Sequence, residues 1–342
     1  MNPRDSGPPA VLYLHIATLS FRKGDGEKAM PRIMVIFNPA ADQGHARELA
    51  PQIKAWLSAY GGTGWAETSR PGEAVELAAR ACEEGYDIVA AAGGDGTAQE
   101  VVNGLIAARG KHGDAGSTTL GLIPIGSGND FAWMMGVAPG LRRTGDLRLI
   151  EEAVKKLYTG KTRVIDVGRI CDESNNCRYF DNGVGIGFDG IVNIESRKIK
   201  RVRGFLMYTI AVLRTMLWYY RAPRSIIELD DRRIEQPLMM LAAANGRRYG
   251  GGFYVTPQAE ADDGYLDVCI VDDVSRLEML KLILLFMKGT QAANPHVQMT
   301  RARRVTVHCG EGYAVHADGE IFATSARSLT VGLLPQKLRV IV

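Results

Sequence analysis

The chain lacks several features that would settle its class quickly. Its five cysteines, Cys82, Cys171, Cys177, Cys269 and Cys309, are an odd number spread over 342 residues, with no Cys-x-x-Cys pair and no metal-type spacing. A reducing cytoplasm is the simplest home for them. Charge of one sign is not in excess: a net charge of +3 is too small to argue for nucleic acid, and no nucleic-acid motif accompanies the basic residues. Long hydrophobic runs are absent too. Met207 to Tyr220 and Leu277 to Met287 come nearest, but Arg214 and Lys281 interrupt them, so no transmembrane helix is expected. Two phosphate-binding fingerprints are also missing. Gly104 to Lys111 is one residue too long for a Walker lysine loop and has His112 where Ser or Thr belongs; the central glycine turn lacks the third glycine of a dinucleotide fingerprint.

What is present is the composition of an ordinary globular protein, 46% hydrophobic and 23% charged, in a chain long enough for two domains. Residues 1–30 do not read as part of either. Met1 to Pro9 is polar and proline-rich, and Val11 to Phe21, which carries His15, Thr18 and Ser20, makes a poor signal peptide. The segment is read as a flexible extension. From Pro31 onward strands and helices alternate. Ile33 to Phe37 is an apolar run ending in the loop Asn38-Pro39-Ala40-Ala41-Asp42, and Ala46 to Ala59 has helical spacing at Leu49, Ile53, Trp56 and Leu57. A second strand ends at Thr68 and a second helix runs from Gly72 to Glu84. The alternation predicts a parallel sheet covered by helices, with ligands beyond the carboxyl ends of its strands.

The stretch that carries most chemistry is Gly93-Gly94-Asp95-Gly96-Thr97, continued by Ala98 and Gln99. It joins the buried-looking strand Tyr86 to Ala92 to a helix that puts Val101, Val102, Leu105 and Ile106 on one face. Glycines allow close backbone approach, and a helix N-terminus favours an anion, so the turn reads as a phosphate cradle. A bare Asp95 would repel phosphate, and a bound Mg²⁺ removes that conflict. The plainer alternative is a tight turn in which Asp95 caps the helix. A second turn, Gly126-Ser127-Gly128-Asn129-Asp130, follows the strand Leu120 to Pro124 and opens a helix at the same end of the same sheet. A single tight turn needs no partner; two side by side favour a nucleotide or phosphate site.

Near Gly160 the pattern changes to short β runs, including Val164 to Ile170, Arg178 to Asn182, Ile226 to Leu229, Leu238 to Ala244, Leu266 to Val271 and Val305 to His308. These predict an antiparallel, sandwich-like second domain interrupted by helices around residues 190–220 and 277–288. The expected division is an extension over 1–30, an α/β domain over 31–160, a β-sandwich over 161–325 and a final segment, 326–342, too apolar for a tail and read as pairing back onto either domain. Arg197-Lys198-Ile199-Lys200-Arg201-Val202-Arg203, followed by Phe205, Met207, Tyr208, Trp218, Tyr219 and Tyr220, suits an anionic membrane surface; a solvated helix start before a core helix is the alternative.

Taken in order, Asn38-Pro39, Gly93 to Thr97, Ser127 to Asp130, Asn182 to Asp189, Gly250 to Gly252, Asp262 to Asp267 and Ala317 to Glu320 resemble the diacylglycerol kinase catalytic-domain family, closest in layout to its soluble bacterial lipid kinases. The resemblance runs from about Pro31 to the C-terminus. It implies an N-terminal α/β nucleotide domain, a C-terminal β-sandwich and an active site in the cleft between them. It implies that ATP is held by Asn38, Pro39, Ala40, Ala41, Asp42 and Thr68, by Gly93, Gly94, Asp95, Gly96, Thr97, Ala98 and Gln99, and by Ser127, Gly128, Asn129 and Asp130. Ser127 stands where many relatives carry threonine and keeps the hydroxyl. It further implies a divalent-ion site at Asp263 with the backbone carbonyls of Glu260 and Tyr265, and a general base that is either Asp318 or Glu320. The implied function is ATP- and Mg²⁺-dependent phosphorylation of a membrane lipid hydroxyl, with diacylglycerol the first candidate, by a cytoplasmic enzyme attached peripherally to an anionic membrane surface. A soluble kinase of the NAD kinase type and a nucleotide-responsive lipid-binding protein without turnover are the alternatives. A homodimer is left open.

Overall fold

The computed structural model describes residues 16–18, 30–112, 118–137, 146–199, 202 and 204–342. Most of the 1–30 segment therefore lies outside the described residues. The short strand β1 (Ile16–Thr18) within it lies antiparallel to the later strand β6 (Lys161–Asp172).

The first half is a parallel sheet built from β2 (Ile33–Phe37), β3 (Gly64–Glu67), β4 (Ile88–Gly93) and β5 (Thr119–Pro124), in the spatial order β3-β2-β4-β5. Every residue of β4 and β5 is buried, as a strand covered on both faces requires. Side chains alternate between two apolar layers. Ile36, Val89, Ala91 and Leu122 meet α2 (Glu73–Glu83) and α3 (Asp95–His112) on one face. Val35, Phe37, Ala90 and Ile123 meet α1 (Ala46–Ala59) and α5 (Leu147–Thr159) on the other, and the short α4 (Asp130–Met134) follows β5. Gly104 is fixed by the α2–α3 contact, since a methyl group there would run into the Val75 carbonyl oxygen.

The second half is mainly antiparallel. β6 forms a hairpin with β7 (Cys177–Phe180), and β8 (Gly183–Gly187) lies between β11 (Met240–Ala244) and β14 (Arg304–Ala317). β12 (Leu266–Val271) and β13 (Val297–Ala302) extend that side, and β9 (Arg224–Leu229) pairs with β10 (Arg232–Pro237) and β14. Three helices, α6 (Phe188–Ser196), α7 (Gly204–Trp218) and α8 (Arg276–Lys288), cover a third apolar layer centred on Val212, Met216, Met240, Met279, Leu282 and Phe286.

The last strand, β15 (Glu320–Ile341), runs through both halves. It pairs antiparallel with β14 and β6, and near its end Val340 lies parallel to Leu120 of β5. The apolar C-terminal segment is thus the strand that joins the two sheets. One expectation needs correction. Cys171 and Cys177, two of the five cysteines taken to suit a reducing cytoplasm, form a disulfide across the β6–β7 hairpin, because that hairpin's register sets them directly opposite each other with Cα atoms 4.2 Å apart. Six intervening bonds of sequence hid the pairing, and the cysteines no longer argue for a reducing compartment. Among the described residues, no helix is long and apolar enough to cross a membrane.

Leu338 is fully buried in the layer that contains Leu120, Ile165 and Val340. Leu338→Ala should therefore lower the unfolding free energy by about 2–5 kcal/mol, read as a reduced denaturant midpoint; an unchanged midpoint would show that the end of β15 is not part of the core.

Candidate active site

The two glycine turns predicted from sequence lie against each other. A methyl group on Gly126 would overlap Gly94, and one on Gly128 would come within 2.7 Å of Asp95 Oδ2, so each turn excludes side chains from the other. Asp95 is the first residue of α3, and its Oδ1 accepts the Phe131 N–H at 3.0 Å at the opening of α4. Asp95 thus caps the neighbouring helix while facing the gap between the turns. Asn38 ties a third loop to this point: its Nδ2 donates to Thr97 Oγ1 at 2.9 Å and its Oδ1 accepts the Ala40 N–H at 2.9 Å. Thr68 donates its N–H to the Phe37 carbonyl, closing the fourth loop beside them.

The carboxylate facing this cradle comes from the far end of the chain. Asp318, in the left-handed turn between β14 and β15, is buried and accepts four hydrogen bonds. The N–H groups of Asn182 and Gly183 donate to Oδ1 at 3.0 and 2.8 Å; the N–H of Asp181 and the Gln99 side-chain amide donate to Oδ2 at 2.9 and 3.3 Å. Burial raises its pKa to about 6; the Gly183, Asp181 and Asn182 amides oppose that rise and the charge of Asp95 adds to it. Glu320 is more open. Its Oε2 accepts from Arg197 at 2.7 Å, and its Oε1 lies so close to Gly96 that a methyl group there would approach it within 2.9 Å.

Sequence reading missed several members of the site. Arg197, placed above in a membrane-facing basic run, instead holds Glu320 and the Gly319 carbonyl. Its neighbour Lys198 pairs with Glu195. Of the other basic residues in that run, Lys200, Arg201 and Arg203 lie outside the described residues. Arg248 stacks on Trp133, 3.8 Å from the ring centre, and pairs with Asp130 at 3.1 Å. Burial and the charge of Asp95 raise Asp130 to about 7, with the Gly251 amide and Arg248 opposing. Asp181 is fully buried with no hydrogen-bond donor on either carboxyl oxygen; burial first, then the charges of Asp318 and Asp95, push it well above the ordinary range. Asp189 accepts from Tyr249 at 2.5 Å and lies 3.1 Å from His316 Nε2. The Gly319 N–H donates to His316 Nδ1, which leaves the ring proton on Nε2, facing Asp189. His316 thereby steadies the Asp318–Glu320 turn.

A cavity of about 870 Å³ joins these parts. Its mouth is lined by Asn38 to Asp42, Thr68, Gly94 to Thr97, Ser127, Gly128, Asp130, Asp318 and Glu320. Its inner end is apolar, lined by Met207, Val212, Met240, Met279, Ile283 and Phe286. Gly93, Ala98, Gln99 and Asn129 do not line it. Asn129 instead braces the second turn by exchanging hydrogen bonds with Gly126, and Gln99 also donates to the Ala317 carbonyl. Glu260, Asp263 and Tyr265 also lie outside the cavity. Asp263 Oδ2 pairs with Arg301 at 2.7 Å, its Oδ1 accepts the Tyr265 N–H, and Glu260 pairs with Arg247. Among the described residues, no group of three acidic, histidine or cysteine side chains is placed to hold a metal ion.

Comparison with known proteins agrees with this geometry. The diacylglycerol kinase catalytic domain matches residues 32–170, and the YegS C-terminal NAD kinase beta sandwich-like domain matches residues 182–342. A diacylglycerol kinase of Mycobacterium tuberculosis is 32% identical over 249 residues, covering 72% of this chain and 75% of that protein. The chain belongs to the diacylglycerol kinase family. A diacylglycerol kinase of Bacillus subtilis is 28% identical over 293 residues, 85% of this kinase and 90% of the relative. In fold, the kinase is similar to a diacylglycerol kinase crystal structure from Bacillus anthracis, with a TM-score of 0.65 at 21% identity over 92% of this chain and 98% of that one. The family assignment makes the protein an enzyme of the lipid kinase class, and the expected α/β plus β-sandwich fold is the one observed.

The pH dependence follows from Asp318. A carboxylate with its pKa raised to about 6 is ionised above that value and loses its basic form as pH falls through it. With Asp318 as the base, kcat/KM should fall on the acid side with a midpoint near 6, and Asp318→Asn should lower kcat by about 10²–10⁴-fold. An acid limb unchanged in Glu320→Gln but shifted or lost with Asp318→Asn assigns the base to Asp318; the reverse pattern assigns it to Glu320.

Proposed function

We propose that the kinase transfers the γ-phosphoryl group of ATP to the hydroxyl of a membrane lipid, with diacylglycerol as the acceptor and phosphatidic acid as the product. The observation that carries this reading is the continuity of one cavity, polar at the glycine turns and apolar at its inner end. A nucleotide or sugar acceptor would leave polar groups unpaired against Met207, Val212, Ile283 and Phe286, whereas acyl chains fill such a chamber favourably. That contrast favours a lipid over the soluble acceptors of an NAD kinase-type enzyme.

In this reading the ATP phosphates lie at the N-terminus of α3, where unpaired backbone N–H groups and the helix dipole favour anions. Gly94, Gly96, Gly126 and Gly128 keep the cradle clear of side chains, and Asn38 and Thr97 hold its rim. Asp318 takes the proton from the acceptor hydroxyl as its oxygen bonds to the γ-phosphorus and the bond to the ADP oxygen breaks. The long Gln99 contact to Oδ2, at 3.3 Å, is the one that the hydroxyl would replace. Glu320 and Arg197 flank the reacting groups at the mouth.

Asp95, Asp130 and Asp318 line the cavity together, while Arg248 and Arg197 are already paired with Asp130 and Glu320. That surplus of carboxylate fits a divalent cation arriving with ATP, and Asp95 between the turns would hold it. Mg²⁺ there would neutralise phosphate charge. A second cation at Asp263, with the carbonyls of Glu260 and Tyr265, would have to displace Arg301. Peripheral attachment to an anionic membrane surface, in the cytoplasm, completes the reading.

The test is transfer of labelled γ-phosphate, with Mg²⁺, to lipids in mixed micelles beside NAD and sugar acceptors. Label in diacylglycerol is expected, with Asp95→Asn lowering transfer by at least about 100-fold and leaving the melting temperature near that of the wild type. Label only in aqueous acceptors would overturn the lipid assignment, and no label in any acceptor would favour a lipid-binding protein without turnover.

A further inference from the structure

The exposed large apolar side chains of the described residues are concentrated rather than scattered. Apart from Met30 and Leu147, all of them belong to α7 and the residue after it, or to α8. On α7 they form one stripe, Leu206, Leu213 and Leu217 at intervals of seven and four, with Trp218 and Tyr219 at its end; Trp218 is 74% exposed. On α8 the stripe is Leu277, Leu280, Leu284 and Met287, at intervals of three, four and three, with Leu277 75% exposed. Both helices also have an apolar inner face. Met207 and Val212 of α7, and Met279, Ile283 and Phe286 of α8, line the inner chamber of the cavity. A helix that only covers a core needs one apolar stripe, and these two have one on each side.

Both helices rest on one apolar layer that includes Ala211, Met216, Met279 and Leu282, and each keeps its outer stripe exposed. They are also fastened end to end: Arg276 Nε donates to the Met216 carbonyl at 3.1 Å, and Tyr220 Oη donates to the Val274 carbonyl at 2.6 Å. Charge is arranged around the stripes. No acidic residue lies on α7; on α8 the exposed Lys281 and Lys288 are seven residues apart, beside the leucines, and Lys281 also pairs at 3.0 Å with Glu278, the one acidic residue of that helix. Lysines bordering a leucine stripe, with a tryptophan and a tyrosine at one end, are the composition of a helix lying in a lipid interface.

We propose that the outer faces of α7 and α8 together form the surface by which the kinase enters an anionic lipid bilayer, so that the acceptor passes from the bilayer into the chamber lined by the inner faces of the same helices. The proposal rests on the reading that the acceptor is a lipid. A bilayer is favoured over a second copy of the chain by continuity with the chamber, since a protein covering these helices would close the lipid's route, and by the lysines bordering the leucines, which suit anionic headgroups. It places α8, which sequence reading treated only as an interrupted apolar run, in the membrane face beside α7.

The experiment uses the full chain and the double variant Leu280→Glu/Leu284→Glu, whose side chains are exposed and do not line the cavity. Sedimentation with phosphatidylcholine vesicles containing phosphatidylglycerol should show at least about tenfold weaker binding for the variant. Activity on long-chain diacylglycerol in those vesicles should fall in parallel, while activity on a short-chain diacylglycerol dispersed as monomer stays within about twofold. Vesicle binding equal to wild type would overturn the proposal, as would conversion of a wild-type dimer into a monomer, which would make this face a protein interface. Sedimentation needs no turnover, so a wild type that binds vesicles yet phosphorylates no lipid would refute the lipid kinase reading and leave the membrane face standing.

Discussion

The Asp318 carboxylate is the interaction on which both halves of the kinase close. Three of its donors are consecutive backbone amides, Asp181 to Gly183, where β7 passes into β8; the fourth is the Gln99 side chain on α3, one turn after Asp95 at the first glycine turn. The same Gln99 amide also reaches the Ala317 carbonyl. One buried carboxylate therefore registers α3 against the β-rich half. Hydrogen bonds to a charged group contribute roughly 1.5–3 kcal/mol each, yet the pKa of Asp318 rises from 3.8 to about 6. Burial, with the charge of Asp95 added, outweighs the donors. The result is a carboxylate held rigidly in place whose basicity still lies close to neutrality.

Much of the fold was legible because it follows local rules. The strands β2, β4 and β5 and the helix α1 are where apolar period and glycine punctuation put them, since buried parallel strands and amphipathic helices carry their pattern in the chain itself. The path of β15 was less legible. Its pairing with β14, β6 and finally β5 depends on partners separated by up to about two hundred residues, and no periodicity announces that a single strand will serve two sheets. The Cys171–Cys177 disulfide was missed for a related reason. It depends on the β6–β7 register, which a sequence spacing of six does not state.

The site divides in the same way. Glycine turns announce themselves, because side chains are excluded where two backbones touch, as at Gly94 and Gly126, or where a carboxylate crowds the backbone, as Asp95 does at Gly128. Asp189, His316 and Tyr249 do not, because each is an ordinary polar residue until the fold brings three elements together. A signal for His316 was available in hindsight: it lies two residues before Asp318 at the end of a strand. Arg197 was misplaced by its neighbours, since a basic run suggests one surface while the fold can divide it. Glu320 claims Arg197 and Glu195 claims Lys198.

Charge and apolar surface are separated within one cavity, and that separation explains both halves of the chemistry. At the mouth, Asp95, Asp130 and Asp318 accumulate more negative charge than Arg248 and Arg197 neutralise, an arrangement that is costly alone and suits a cationic partner for phosphate. Nearby, Asp181 has no donor on either carboxyl oxygen, and burial pushes its pKa well above the ordinary range. At the inner end, α7 and α8 offer mainly apolar side chains, Tyr208 being the exception, and their outer faces carry apolar stripes as well. A water-soluble acceptor gains nothing from such helices. An acyl chain would gain burial along its whole route, so in the proposed reading the surface that would be a liability in a soluble-substrate kinase gives a bilayer lipid access to Asp318.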